Sequence, residues 1–309
     1  MTENLLILSF SLFLVIKGAI LSTKYAVRLA NNFKLSKYVV GFIIVAVISV
    51  LPETFISINS ALEGIPAFGL GTLFGSNVAD LTLVFVLIIA FSKKDIKIES
   101  KILKNNIIYP FLFLMPIILG LDGHYSRLEG TVLIITGAIF YYFAFKNNND
   151  EVPDIAKEKS RLKNSSLLLL SMAMLLIGAH FTVTSATNLA HSLGVSPILI
   201  GMLIVGLGTT IPELLFSIQA VKKNDDSMAI GDILGTVLAD ATVVVGIIAI
   251  FSPFDFPQKI IYVTGIFMLL AAFILSYFMR TGKTISRKES VFLFIFWLIF
   301  VLTEYFINR

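Results

Sequence analysis

The sequence predicts an all-α polytopic membrane protein: ten transmembrane helices in two inverted five-helix repeats, with broken helices at two Pro-Glu motifs. Three observations predict this. Hydrophobic residues make up 57% of the 309 positions and charged residues only 14%, with a mean hydropathy of +0.90, whereas soluble domains carry about 45–50% apolar and ~25% charged residues. The two halves read alike at an offset of 160 residues, with no insertion to interrupt the register. Pro52-Glu53 and Pro212-Glu213 stand at that same offset inside apolar runs, where an acid costs roughly 2.5–3.5 kcal/mol on insertion scales and usually serves an ion or substrate path.

Apolar spans fall near 4–31, 37–60, 67–92, 104–120, 128–146, 165–191, 197–221, 227–251, 258–279 and 288–306. Most reach the ~20 residues that a bilayer crossing needs. The polar, mixed-charge stretch between the fifth and sixth divides the chain into a first repeat, 1–147, a linker, 148–164, and a second repeat, 165–309. The offset matches Gly18-Ala19 with Gly178-Ala179, Leu29-Ala30 with Leu189-Ala190, the Gly71 to Asp80 stretch with Gly231 to Asp240, and Ser126-Arg127-Leu-Glu129 with Ser286-Arg287-Lys-Glu289.

Cations set the expected orientation. Lys24, Arg28, Lys34 and Lys37 flank the first loop, Lys93, Lys94, Lys97, Lys101 and Lys104 the third, and Lys146, Lys157, Lys159, Arg161 and Lys163 the fifth. Lys222 and Lys223 flank the seventh, and Arg280, Lys283, Arg287 and Lys288 the ninth; the other side holds Arg127, Lys259 and Arg309. The positive-inside rule then puts the odd loops in the cytoplasm and both termini outside a cell membrane. With five spans per half, the halves run in opposite orientations. The net charge of +4 comes from span ends rather than a groove, so nucleic acid is not expected as a partner. The first residues, Met1-Thr2-Glu3-Asn4, lack a basic n-region and read as a retained anchor. With no cysteine, disulfides and thiolate metal sites are excluded.

Inverted repeats with interrupted helices are the architecture of many secondary transporters, whose site lies near the midplane where the repeats meet. Proline lacks an amide hydrogen and clashes with the carbonyl four residues back, so Pro52 is expected to free the carbonyl of Ile48 and Pro212 that of Gly208. Carbonyls, a hydroxyl and a carboxylate then gather within one turn, the hard oxygen ligands that Ca²⁺ or Na⁺ prefers. Thr72, Ser76 and Asp80, like Asp232, Thr236 and Asp240, recur every four residues and form a polar stripe on a helix face. Gly71, Gly75, Gly231 and Gly235 permit close helix approach. Four acids, Glu53, Asp80, Glu213 and Asp240, are expected to converge; against one divalent ion their charge is in excess, and further cations or a bound proton must offset it.

These residues carry a resemblance to the calcium/cation antiporter superfamily, and within it to the compact prokaryotic sodium/calcium exchangers. Gly208-Thr209-Thr210-Ile211-Pro212-Glu213 is similar to the family's G-T-S/T-x-P-E, and Gly75-Ser76-Asn77-Val78-Ala79-Asp80 to its G-S-N motif, and the likeness covers essentially the whole chain. The resemblance implies ligands from the second, third, seventh and eighth helices. They are the carboxylates of Glu53, Glu213, Asp240 and Asp80, the hydroxyls of Ser49, Thr209, Thr210, Ser76 and Thr236, and the carbonyls of Ala46 and Gly206. It implies secondary antiport of Ca²⁺ for Na⁺ by alternating access in the lipid bilayer, with no cofactor and no enzymatic activity, and the sequence points to no protein partner. Three departures leave H⁺ or K⁺ open as coupling ions: Val50 lacks the hydroxyl usual before Leu-Pro-Glu, and Asp80 and Asp232 stand where Asn is usual.

Plainer readings accompany each feature. A single intramembrane proline is often a kink, and small-residue columns usually serve packing. Lys17 reads as a snorkelling lysine, His180 as a packed residue and His191 as an interfacial one, and Asp232 as either a site-entrance acid or a solvated helix end. His124, His180 and His191 cannot form the His-Glu-x-x-His of a metalloprotease. Ala229-Ile230-Gly231-Asp232 only partly resembles an intramembrane aspartyl protease motif. A cation channel lined by acids remains the third class.

Overall fold

A computed structural model describes residues 2–30, 46–98, 109–146 and 161–308. Lys34, Lys37, Lys101, Lys104, Lys157 and Lys159, used in the charge argument, lie outside the described residues, as does Arg309. The described residues are almost wholly helical: α1 (Thr2–Ala30), α2 (Ala46–Ser49), α3 (Leu51–Leu62), α4 (Pro66–Ser92), α5 (Tyr109–Leu119), α6 (Arg127–Lys146), α7 (Arg161–Leu193), α8 (197–209), α9 (Ile211–Lys222), α10 (Asp226–Phe251), α11 (Ile260–Thr281) and α12 (Arg287–Asn308). Among the described residues, seven helical stretches are long and apolar enough to cross a membrane, counting α8 and α9 together, and Tyr109–Leu119 is a shorter apolar helix. The described α7 begins at Arg161, so the last residues read from sequence as linker are helical.

The matched sequence positions recur as matched structure. Ser126 and Ser286 each cap the following helix in the same way. The Ser126 N–H donates to Glu129 Oε2 at 2.7 Å and the Ser286 N–H to Glu289 Oε2 at 2.7 Å, while each glutamate's own N–H returns to the serine hydroxyl. This is the reciprocal capping box. At the same offset, Gly64 (φ 76°) and Asn224 (φ 61°) both turn the chain through the left-handed region, where Gly and Asn are at home.

α1 and α7 pack against each other along their length, antiparallel. Ser22 Oγ donates to Ser171 Oγ at 2.8 Å and Thr182 Oγ1 to Ser11 Oγ at 3.0 Å, two contacts that exchange under the 160-residue offset. A methyl at Gly18 would sit 3.0 Å from the Ser171 carbonyl, and one at Gly178 3.0 Å from that of Ser11. The small residues therefore face the partner long helix and let the two backbones close together. Their outer faces, with Phe10, Phe13, Leu169 and Leu176 exposed, are apolar, as lipid contact requires.

α4 and α10 occupy the centre, enclosed on most sides, while α12 and the α1–α7 pair form the rim. Two short antiparallel strand pairs tie the ends together: β1 (Ile96–Lys97) with β4 (Thr284–Ile285), and β2 (His124–Tyr125) with β3 (Phe254–Asp255). Each joins a loop of one half to a loop of the other. At the first end, Lys97 N–H donates to Asp226 Oδ2 at 2.9 Å and Arg287 to the Lys93 carbonyl at 2.9 Å, so the third, seventh and ninth loops meet there. At the other, buried Tyr125 donates to the Pro116 carbonyl at 2.5 Å. Burial first, then the carboxylates of Glu129 and Asp122, push that phenol above its ordinary range, keeping it a hydrogen-bond donor.

Candidate functional site

The site is built by exchange between halves. α2 packs on the first part of α10, and the π-helical turn Gly201–Val205 of α8 packs on the first part of α4, whereas α3 packs on α4 and α9 on α10. Each Pro-Glu helix thus spans from one half's partner helix to the other's. The interruption is confined to one residue: Val50 (φ −70°, ψ −8°) and Thr210 (φ −75°, ψ −8°) step off helical geometry identically, and the proline is the second residue of the helix that follows. The break is a one-residue step rather than an unwound segment.

Close approach is enforced by glycine. A methyl at Gly75 would lie 2.6 Å from the Met202 carbonyl, and one at Gly206 3.1 Å from the Ser76 amide nitrogen. Gly75→Ala should therefore destabilise the fold by about 1–3 kcal/mol through overpacking and lower the melting temperature. An unchanged melt would show that α8 yields easily.

The buried carboxylates gather around this crossing. Glu53 is 1% exposed, Asp80 1%, and Glu213, Asp232 and Asp240 0%. Glu53 lies within electrostatic reach of Asp80, Glu213 and Asp240, and Asp80 within reach of Glu213 and Asp240. Glu53 Oε2, Asp232 Oδ2 and both oxygens of Asp80, Glu213 and Asp240 have no hydrogen-bond partner, and neither does Thr236 Oγ1. Buried polar atoms are normally satisfied, so this concentration of orphaned oxygens is the kind of donor set that cations complete. Among the described residues no three of these acids stand close enough to grip a metal by themselves; an ion held here would draw on hydroxyls and carbonyls too.

The hydroxyls suit that use. Thr209 Oγ1 donates to the Gly206 carbonyl at 2.9 Å, Thr210 Oγ1 to Leu207 at 3.0 Å and Ser76 Oγ to Leu73 at 2.9 Å. Each turns its hydrogen onto the helix and leaves lone pairs for an ion. Thr209 also lies against Glu53. The Gly206 carbonyl is less free than the sequence implied, because it also accepts from the Thr210 N–H at 3.2 Å. Ala46 opens α2, with its side chain outside what is described.

Two readings need correction. Asp232 is not a solvated helix end: it is wholly buried within α10 and accepts from Ser49 Oγ at 3.1 Å across the two halves. His180 is not a packed residue. Its side chain is 57% exposed, its Nδ1 3.5 Å from Glu63 Oε1. His191 is exposed at the end of α7, and Lys17 is exposed with its ammonium 5.8 Å from the Phe13 ring centre.

Sequence reading also missed the π-helical turns. Asp80–Val84 and Asp240–Val244 each widen the helix at the acid, and a third runs over Gly201–Val205. Such turns cluster at functional sites. No residue pattern distinguishes them from ordinary helix. A buried acid on α12, Glu304, was missed as well; it accepts from Thr264 Oγ1 at 2.5 Å and from Asn308 Nδ2 at 2.7 Å.

The family model described as sodium/calcium exchanger protein matches residues 3–146 and again 164–306. The chain belongs to the sodium/calcium exchanger protein family. Among relatives of this family, it is 25% identical to the sodium/calcium exchanger MaX1 of Methanosarcina acetivorans over 99% of both chains. It is 30% identical to an uncharacterized membrane protein, MJ0091, of Methanocaldococcus jannaschii, over 69% of this chain and 70% of that one. Its fold matches the sodium-calcium exchanger NCX_Mj with a TM-score of 0.71 at 24% identity, covering 96% of this chain and 97% of that one. It also matches the H⁺/Ca²⁺ exchanger CAX, with a TM-score of 0.80 at 20% identity, over 97% of this chain and 82% of that one. An exchanger family is a transporter class, not an enzyme class.

Proposed function

We propose that this exchanger-family chain is a secondary antiporter that trades Ca²⁺ for Na⁺ by alternating access, with one shared site built by both halves. The observation that carries the reading is the pair of interrupted helices delivering Glu53 and Glu213, both buried with orphaned oxygens, to the acids of α4 and α10. The ion-binding set is Glu53, Glu213, Asp80 and Asp240 with Ser49, Thr209, Thr210, Ser76, Thr236 and the carbonyls of Ala46 and Gly206. Oxygen ligands of this kind suit hard cations. Ca²⁺ flux into proteoliposomes under separately imposed Na⁺, K⁺ and pH gradients tests it. Flux that ran on without any counter-ion would mean a channel instead.

The same reading takes the chain as two inverted five-helix repeats, 1–147 and 165–309, joined by a cytoplasmic linker at 148–164, ten crossings in all. Exchange of the α1–α7 contacts under the offset supports it. The meeting of the basic third, seventh and ninth loops at one end supports odd loops in the cytoplasm and outside termini. Accessibility labelling of cysteines placed at Lys94 and Asp122 tests the sidedness.

H⁺-coupled exchange is the second reading, and K⁺ dependence a third. Val50 offers no oxygen where Thr210 offers one, and Asp80 adds a carboxylate to this crossing, so the half-site around Ser49 should hold a monovalent cation weakly and a proton can take its place. Val50→Ser combined with Asp80→Asn should raise the dependence of flux on Na⁺ severalfold and flatten its dependence on pH. Profiles identical to the parent's would show that these departures are neutral.

A further inference from the structure

We infer a built site for an anionic phospholipid at the end of the bundle where the strand pair β1–β4 lies. A pocket of about 450 Å³ is lined by Lys93, Lys94, Asp95, Ser286, Arg287 and Lys288. Beside it runs a groove of about 560 Å³, almost entirely apolar, between α11 and α12, lined chiefly by Phe273, Tyr277, Phe278 and Phe292. Lys288 lines both spaces, so an open cationic pocket adjoins an aromatic groove along the bundle wall. A charged pocket beside an apolar groove fits one amphiphile, with a phosphate at one end and an acyl chain at the other. Basic pockets between transmembrane helices are used for acidic headgroups.

The charges are arranged for an anion despite three acids nearby. Glu289, at the rim of the groove, spends its Oε2 on the Ser286 N–H and hydroxyl. Lys94 is partly committed, donating to Asn224 Oδ1 at 2.8 Å and lying 3.7 Å from Asp226. Arg287 is braced by its bond to the Lys93 carbonyl, which uses one of five donors and leaves the rest for phosphate. Among the described residues that line the two spaces, Lys93, Arg287 and Lys288 are exposed, against the exposed carboxylate of Asp95. The frame is fixed by β1–β4 and by the Ile98 N–H bond to the Lys283 carbonyl at 2.8 Å. In the groove, Phe278 and Phe292 meet edge to face at 5.8 Å, and Tyr277, 63% exposed, lies near the end of α11, where tyrosine is enriched in spanning helices.

Native mass spectrometry of the whole chain in detergent, titrated with dioleoyl phosphatidylglycerol or dioleoyl phosphatidylcholine, tests the site. One phosphatidylglycerol should be retained in preference to phosphatidylcholine. Lys288→Gln should weaken it about fivefold, the effect of one cation at an acidic surface, and Lys93→Gln with Lys288→Gln more than tenfold, with phosphatidylcholine unaffected. Lys288→Arg should restore retention, separating charge from folding. Phe292→Ala should weaken both lipids alike. Parent-like phosphatidylglycerol binding by the double variant would overturn the proposal. So would displacement of the lipid by inorganic phosphate together with indifference to Phe292→Ala, since the site would then be one for a free anion.

Discussion

Glu213→Gln should abolish Na⁺-driven Ca²⁺ uptake into proteoliposomes, and Glu53→Gln should do the same, each by more than about 100-fold. Even the outer partners of metal ligands are worth 10–100-fold in affinity, and these two carboxylates stand at the crossing itself. Glutamine keeps the shape and removes the charge, so the variants should fold and elute as the parent does. The two losses should be comparable, because Val50 and Thr210 interrupt their helices identically and deliver the acids symmetrically. Near-normal flux from either variant would end the shared-site model.

The second large effect concerns motion. The small residues Gly18 and Gly178 turn toward the opposite long helix rather than toward the centre, so α1 and α7 form one unit. If that unit moves against the rest to switch access, tethering within it should be harmless and tethering across its boundary fatal. The chain has no cysteine, so each engineered pair is clean. Ser22→Cys with Ser171→Cys joins the two long helices where their hydroxyls are 2.8 Å apart, and should leave exchange intact after oxidation. Glu63→Cys with Thr184→Cys, bridged by a short bifunctional reagent, joins α7 to the end of α3 where the side chains are 2.9 Å apart. It should stop transport reversibly while Ca²⁺ binding persists. Undiminished exchange by the bridged second pair would show that α7 stays put.

Much of this was legible in sequence because the membrane simplifies the code. Apolar length marks helices, and an acid in an apolar run has few reasons to exist. Glu53, Asp80, Glu213 and Asp240 were visible for that reason, and the internal offset paired them. What stayed hidden was geometry without a residue signature. Asp232 looked peripheral because its first-half counterpart is Thr72, yet Ser49 reaches it across the crossing, a contact 183 residues apart. The Ser126 and Ser286 motifs showed as a match before they showed as capping boxes. Gly18 and Gly178 signalled close packing but not against what; only the fold could say that each faces the other's helix.

The strand pairs bear on how such a chain is made. Thr284–Ile285, in the second half of the sequence, finds its partner in Ile96–Lys97, far upstream, and Phe254–Asp255 finds His124–Tyr125. During synthesis the early strands have exposed edges and nothing to pair with, so insertion of the first half must precede its closure. The order to expect is therefore a late docking of the two halves. A chain cut within 147–160 and supplied as two pieces should still reunite, because the clasps that close the molecule belong to neither piece alone.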